Sequence, residues 1–354
     1  MFSPKIDLGG LKKLAERLRR KPSEVVGLDL ASSGTKVVRL KKSDAGISLV
    51  SADILPPMPQ VQAAADGAVE IMPLELRKEL VARNASLAVS GKKSVVKLVS
   101  FTGASNDEGA ESRIVEGLGV EHPETFRIGY RFVREGHGKT ESRALVVAIP
   151  EGEAAAACKT LPTGAPAPYS VELAGLAAMT AFLQGPGKAH AEDSVGMIEF
   201  GSHVSYFAVF SKLQPVLIRK FDFGSSLILE KVQQSLGIDQ ATAEGILTDG
   251  SFDISQQISE VLDGFIKQVI VSRDFVERRE NCRINKVYTS GGITKSRDWL
   301  TELKSALGYD VDAWNPFAAL KVDQGALPEH LNGQETRFSA AVGAALATLQ
   351  QDEQ

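Results

Sequence analysis

Apolar positions along this chain recur with a strand-like period in some stretches and a helix-like period in others. From Val25 to Leu40 (VVGLDLASSGTKVVRL) the apolar runs Val25–Leu30 and Lys36–Leu40 flank a small-residue turn, Ala31-Ser32-Ser33-Gly34-Thr35. This pattern predicts a hairpin. Val50–Leu55 adds a strand, Pro56–Gly67 with Pro56, Pro57 and Pro59 reads as a surface loop, and Leu74–Arg83 reads as a helix. Ser86–Phe101 resolves into two short strands joined at Ser90-Gly91-Lys92-Lys93, followed by a polar helix over Asn106–Leu118. Arg127–Arg134 and Arg143–Ile149 alternate as strands do, and Glu151–Lys159 is an alanine-rich helix. Pro162–Tyr169 reads as a linker and Val171–Leu183 as a helix, with a Gly/Pro-containing break over Gly185–Asp193. Val195–Phe210 then repeats the first hairpin, its turn beginning at Glu199-Phe200-Gly201-Ser202-His203, and Val216–Phe221 is a further strand. Helices follow over Ser226–Leu236, Asp239–Leu247 and Ile258–Arg279, the last with Leu262, Phe265, Ile266, Val269 and Ile270 on one face. Lys286–Thr289 is a buried strand that turns through Ser290-Gly291-Gly292 into the helix Ser296–Leu307, and a small-residue helix spans Phe338–Leu349.

The same strand–turn–strand device therefore occurs twice, which predicts an α/β chain of two similar lobes around a cleft. The segments divide as a leader (1–24), a first lobe in two parts (25–85 and 166–190), a small α+β insert (86–165), a second lobe (191–336) and a closing helix with its tail (337–354). A length of 354 residues fits two domains at roughly 150 residues each. Hydrophobic residues at 43% and charged residues at 24% are ordinary for a globular chain. A net charge of −4 supplies no basic field for nucleic acid. Cys158 and Cys282 stand far apart, and no histidine pattern suggests zinc. No segment approaches the roughly 20 apolar residues of a membrane span. The basic leader Leu8–Arg20 places Leu11, Leu14 and Leu18 at helical spacing. It reads either as an amphipathic helix touching lipid or a partner, or as a solvated leader, and its short apolar face favours the second.

The candidate chemistry sits at three turns. Asp29 ends a strand, where a carboxylate can hold Mg²⁺ directly or through water. The small residues after it offer backbone N–H groups to phosphate, and Lys36 adds a cation. Glu199 repeats the acid before a second turn, where Gly201 permits close approach. Thr289-Ser290-Gly291-Gly292-Ile293 links a buried strand to a helix with paired glycines that let a ring or a phosphate lie against the backbone. Each turn alone is also compatible with a plain polar connection.

Taken in order, these elements resemble the actin/Hsp70/sugar-kinase superfamily from about Val25 onward, and within it the PilM and FtsA branch. Gly27-Leu28-Asp29-Leu30 with Ser32 and Lys36-Val37-Val38 is similar to the first phosphate motif. Ser86–Val99 resembles the opening of the insert that PilM and FtsA share, and Tyr288–Gly292 with Trp299-Leu300 resembles the adenosine motif. Asn315-Pro316-Phe317 is similar to a PilM-type ending, and the short tail Gln350–Gln354 favours PilM over FtsA. The resemblance implies an actin-like (ribonuclease H-like) duplicated two-lobe fold with a small α+β insert domain. It implies ATP and Mg²⁺ as ligands, with Asp29, Ser32, Ser33, Gly34, Thr35, Lys36, Gly201, Ser202, Ser205, Glu244, Gly291, Gly292 and Ile293 around the nucleotide and Asp29 and Glu199 at the metal. Glu172 lies where the superfamily places a water-orienting residue for hydrolysis. Implied partners are the N-terminal cytoplasmic segment of a PilN-like inner-membrane protein and the pilus motor ATPase, with self-association as a further property of actin relatives. The implied location is cytoplasmic, at the inner face of the inner membrane. Ala31 replaces the motif's glycine, Glu199 its aspartate, Val204 a small hydroxyl residue and Leu247 a lysine, and these departures imply a weaker hold on ATP. They leave open a scaffold of the same fold without nucleotide and, less well supported, a small-molecule kinase.

Overall fold

Two sheets of the same topology build most of the molecule. The computed structural model describes residues 21–57, 71–136 and 140–350. The leader helix expected over Leu8–Arg20 and most of the Pro56–Gly67 loop lie outside the described residues. In the first sheet β1 (Glu24–Ala31), β2 (Gly34–Ser43) and β3 (Gly46–Leu55) form an antiparallel meander. β4 (Asn84–Val89) joins β1 in parallel and is followed by β8 (Ala167–Leu173), with β14 (Lys321–Val322) at the opposite edge. The second sheet repeats this plan with β9 (Ser194–Phe200), β10 (Ser205–Ser211), β11 (Gln214–Phe221), β12 (Ile284–Gly291) and β13 (Asp310–Ala313), in the order β11-β10-β9-β12-β13. Three antiparallel strands followed by two parallel ones, in the same order twice, is the duplicated actin-like arrangement.

Packing explains the residue choice. Val25, Val26, Leu28, Val37, Val38 and Leu40 are all fully buried, so β1 and β2 read as continuous apolar runs and not as an alternation. Helices α3 (Ala174–Gln184) and α8 (Ser339–Gln350) lie between the two sheets, α8 against β1, β2 and β4. Small residues permit this closeness. A Cβ on Gly27 would meet the Ala341 carbonyl at 2.0 Å, and one on Gly175 would meet the Tyr206 ring at 2.1 Å. The far face of the second sheet is covered by α4 (Ser225–Leu236), α5 (Gln240–Asp249), α6 (Ser255–Glu280) and α7 (Arg297–Leu307), around Phe200, Phe265 and Trp299. The third sheet, β5 (Val95–Thr102), β7 (Glu141–Pro150) and β6 (Phe126–Arg134), is antiparallel in the order β5-β7-β6 and packs α1 (Ala110–Leu118) on its own small core. The alanine-rich α2 (Glu151–Lys159) leads the chain back to the first sheet.

The structure corrects several sequence expectations. Leu74–Arg83 is not a helix; it holds one 3-10 turn, Lys78–Leu80. The Glu79 carbonyl accepts from Ser51 Oγ at 2.7 Å, so the neighbouring sheet takes the acceptor that a helix would use internally. Ala167–Leu173 is a strand, so Glu172 stands on β8 and not on an apolar helix. β4, read with the insert, pairs inside the first sheet.

Candidate functional site

The site forms where the turns after β1, β9 and β12 meet the start of α8. Ser32 and Ser33 make a two-residue connection between β1 and β2, closed by Gly34 at φ +108°. That value suits glycine, and a Cβ there would also press to 3.0 Å on the Leu55 carbonyl. Asp29 and Lys36 pair across the hairpin, so their side chains share one face. Lys36 Nζ lies 3.9 Å from Asp29 Oδ2 and donates to Ser33 Oγ at 3.0 Å. Both residues are buried, at 7% and 4% exposure. Burial raises the Asp29 pKa and lowers that of Lys36, each toward its uncharged form, while their mutual attraction opposes both shifts.

Glu199 is equally buried at the end of β9. Its Oε2 accepts from Ser290 Oγ on β12 and from Ser339 Oγ, at 3.0 Å, on the first turn of α8. Loss of water raises its pKa to about 8; the two hydroxyls pull the other way, and the nearby Asp29 charge adds to the rise. At neutral pH this carboxyl keeps its proton. The turn beyond it is clasped by the start of α4. Ser225 N–H donates to the Gly201 carbonyl at 3.1 Å, and Ser226 reaches the Ser202 carbonyl through its N–H at 2.9 Å and its hydroxyl at 2.7 Å. Among the described residues the Ser202 and His203 amides donate to no protein acceptor, which leaves two N–H groups for an anion.

The Gly-Gly turn completes the floor. Gly291 has φ +104°, and a Cβ there would fall 2.0 Å from the Phe200 carbonyl, so no side chain fits. Gly292 is open, its nearest neighbour being the Arg337 side chain, whose Nε would lie 3.8 Å from an added Cβ. Arg337 Nη2 reaches back across the cleft to the Ser33 carbonyl at 2.9 Å.

Residues 167–349, a little over half of the chain, match the family model for type IV pilus assembly protein PilM. The chain belongs to the PilM family. A solved structure described as a PilM-PilN type IV pilus biogenesis complex superposes with a TM-score of 0.78 at 17% identity, covering 94% of this chain and 100% of that one. At that identity the likeness shows the fold. MreB 5 of Spiroplasma citri bound to AMPPNP aligns at a TM-score of 0.44 and 11% identity, over 93% of this chain and 96% of that one. The ethanolamine utilization protein EutJ from Carboxydothermus hydrogenoformans aligns at 0.42 and 12%, over 92% and 90%. No curated protein matches the chain.

In this PilM-family chain the structure brings Asp29, Ser33, Lys36, Glu199, Gly291 and Gly292 together. Other expected residues stand apart. Thr35 faces the side of β2 opposite Lys36, its hydroxyl buried without a partner. Ser205 donates to the Phe223 carbonyl at 2.8 Å, holding the approach to α4. Ile293 is buried in the second-lobe core beside Ala243 and Leu247. Glu244 is exposed on α5, accepting from Gln240 at 2.8 Å, and its charge reaches Arg337. The strand register places Asp29, Ala88 and Glu172 in one row across β1, β4 and β8, so Glu172 faces the same side as Asp29, about 10 Å away at the usual strand spacing. Glu172, hydrogen-bonded by Ser170 at 3.4 Å, has its pKa raised by desolvation to about 7. Sequence reading missed Lys295, and it missed Arg337 and Ser339, whose contacts to Ser33 and Glu199 are remote in sequence.

The donor set fits a magnesium nucleotide in part. Among the described residues no three His, Cys, Asp or Glu side chains converge. Mg²⁺ needs fewer, because it takes one or two carboxylates with phosphate oxygens and waters. Asp29 meets that need. Glu199 Oε2 is already engaged by two hydroxyls. Lys36, the free turn amides and the side-chain-free surface at Gly291-Gly292 suit the phosphates.

Proposed function

We propose that this chain is an ATP-binding scaffold of type IV pilus assembly, working on the cytoplasmic side and docking the short N-terminal segment of a PilN-like inner-membrane protein. The observation that carries the nucleotide reading is the convergence, at the junction of two like lobes, of a buried Asp29–Lys36 pair and a Gly-Gly turn that presents no side chain. Under this reading Lys36 and the turn amides hold phosphates, Asp29 holds Mg²⁺ through water, and the Gly291-Gly292 surface lies against the adenosine side. Bound Mg²⁺ would neutralise phosphate charge. Ligand that touches both lobes favours one arrangement of them, and so biases the docking of partners. Glu172, near neutrality in its pKa and on the row of Asp29, is the residue that would orient water in any hydrolysis. PilN docking is supported by family membership and by the PilM-PilN likeness. The pilus motor ATPase is a further partner on the same reading, and copies of the chain could contact one another as actin relatives do. Among the described residues no helix is long and apolar enough to cross a membrane. On this reading, placement at the membrane's inner face would come through the PilN-like partner.

A second reading, a scaffold of the same fold without nucleotide, is favoured by one observation. Glu199 and Leu247, two positions where the resemblance expects nucleotide chemistry, are taken up by internal packing. Titration of the purified chain with ATP and Mg²⁺, followed by heat and by thermal unfolding, separates the two. Saturable binding is expected, with stabilisation of about 2.7 kcal/mol at 100 times Kd, and Asp29→Ala abolishes it. No response at millimolar ATP would establish the second reading.

A further inference from the structure

Two cations end on one exposed turn residue. Lys36 Nζ donates to the Ser33 hydroxyl at 3.0 Å, and Arg337 Nη2 donates to the Ser33 carbonyl at 2.9 Å. Arg337 comes from the segment before α8 and lies along the Gly292 turn, so one side chain spans the first hairpin and the Gly-Gly turn. Its backbone is pinned there, because the Thr336 hydroxyl donates to the Gly291 carbonyl at 3.3 Å. Nη1 donates to Gln334 Oε1 at 2.7 Å. A guanidinium carries five N–H donors, so the remainder, Nε included, meet no acceptor among the described residues.

The charges around it point to an anion. Lys295 ends the turn that begins at Gly292 and packs on the segment carrying Arg337; burial lowers its proton affinity, and the Arg337 charge lowers it further. Arg337 thus has a cation on either side, the buried Lys36 and the half-buried Lys295. Of the carboxylates near them, Asp29 lies 3.9 Å from Lys36 and also attracts Arg337, Glu199 attracts Lys36, and Glu244 and Glu335 make no ion pair to any of the three among the described residues.

Resting on the nucleotide reading above, we propose that Arg337 is the phosphate-recognising side chain of this cleft, forming with Lys36 and Lys295 a seat for a polyphosphate chain. A fork of N–H groups matches two phosphate oxygens where an ammonium matches one. The seat lies between the turns, so it selects by number of phosphates and not by base.

Calorimetric titration of the full chain with adenosine, ATP–Mg²⁺ and inorganic tripolyphosphate tests this, with Arg337→Met, Arg337→Lys and Lys295→Met as variants and the melting transition of each as the check on folding. Arg337→Met is expected to weaken ATP and tripolyphosphate about tenfold to a hundredfold and to leave adenosine within about twofold. Arg337→Lys restores part of the loss. The half-buried Lys295→Met, which disturbs no hydrogen bond, weakens both phosphate ligands about threefold to tenfold. The proposal is overturned if the variants bind tripolyphosphate as the parent does, if adenosine weakens in step with ATP, or if the parent binds no polyphosphate. A parent that binds tripolyphosphate but shows no preference for ATP keeps the seat and removes the nucleotide reading.

Discussion

Glu199 joins two strands and a helix through a single carboxyl oxygen, and its ionisation is tied to that position. Its pKa rises from 4.5 to about 8 because the folded chain strips its water. Below the unfolded value both states hold the proton and the group costs nothing. Above it the unfolded chain ionises while the folded chain does not, so stability declines as pH climbs from 4.5 toward about 8. Glu199→Gln, similar in shape and without charge, should flatten the dependence of the urea midpoint on pH across this window. Equal slopes in the two proteins would refute the buried-proton account. The acid itself was legible in the sequence, since it ends a strand before a glycine turn, as Asp29 does. What Glu199 touches was not. Ser339 lies far along the chain, and nothing in the local pattern distinguishes a hydroxyl that caps a carboxylate from one that faces water. Arg337 escaped notice because its contact to Ser33 spans most of the chain, whereas Lys36 was found because it follows the turn after Asp29.

Elements that make their own local contacts were the easiest to read. The meander of β1, β2 and β3, the strand β12 with its glycine turn, and the long amphipathic α6 follow from periodicity. The failures were elements decided by neighbours. Val171-Glu172-Leu173 alternates for only three residues, too few to separate a strand end from a helix start, and its pairing with Leu87, Ala88 and Val89 settles the matter. The short edge strands β13 and β14 exist only through their partners. Helix α8 was legible as a helix, but its tightness was not. A Cβ at Gly343 would fall 1.6 Å from the Ala177 carbonyl of α3. Gly343→Ala should therefore cost about 3 kcal/mol as the helices part. Gly245→Ala, on α5 with nothing within 4 Å of the added methyl, should stabilise by up to about 1 kcal/mol. Paired thermal melts check both, and a neutral Gly343→Ala would show that the α3–α8 contact yields freely.

At the scale of the molecule, the small three-stranded sheet is tied to the second lobe as well as continuous with the first. Lys220 Nζ on β11 caps the carbonyls of Gly91, Lys92 and Ser94 at 3.0, 2.8 and 2.7 Å, and Arg143 on β7 meets Glu280 at 3.1 Å. Lys220→Met should speed amide exchange over residues 91–98 by about tenfold with little change in the melting midpoint. Unchanged exchange would mean that the ammonium does not hold this connection. The duplicated lobes were visible in the repeated hairpin, but these ties were not, because they join surfaces whose residues read as ordinary polar positions. The position of α8 also matters to the living cell. It covers β1 and β4 yet is made roughly 300 residues after β1. At about 5–20 residues per second, a ribosome leaves that sheet face bare for about 15–60 s. The nascent chain thus carries an open apolar surface through most of its synthesis, and its yield depends on the chaperones that meet it before the final helix arrives.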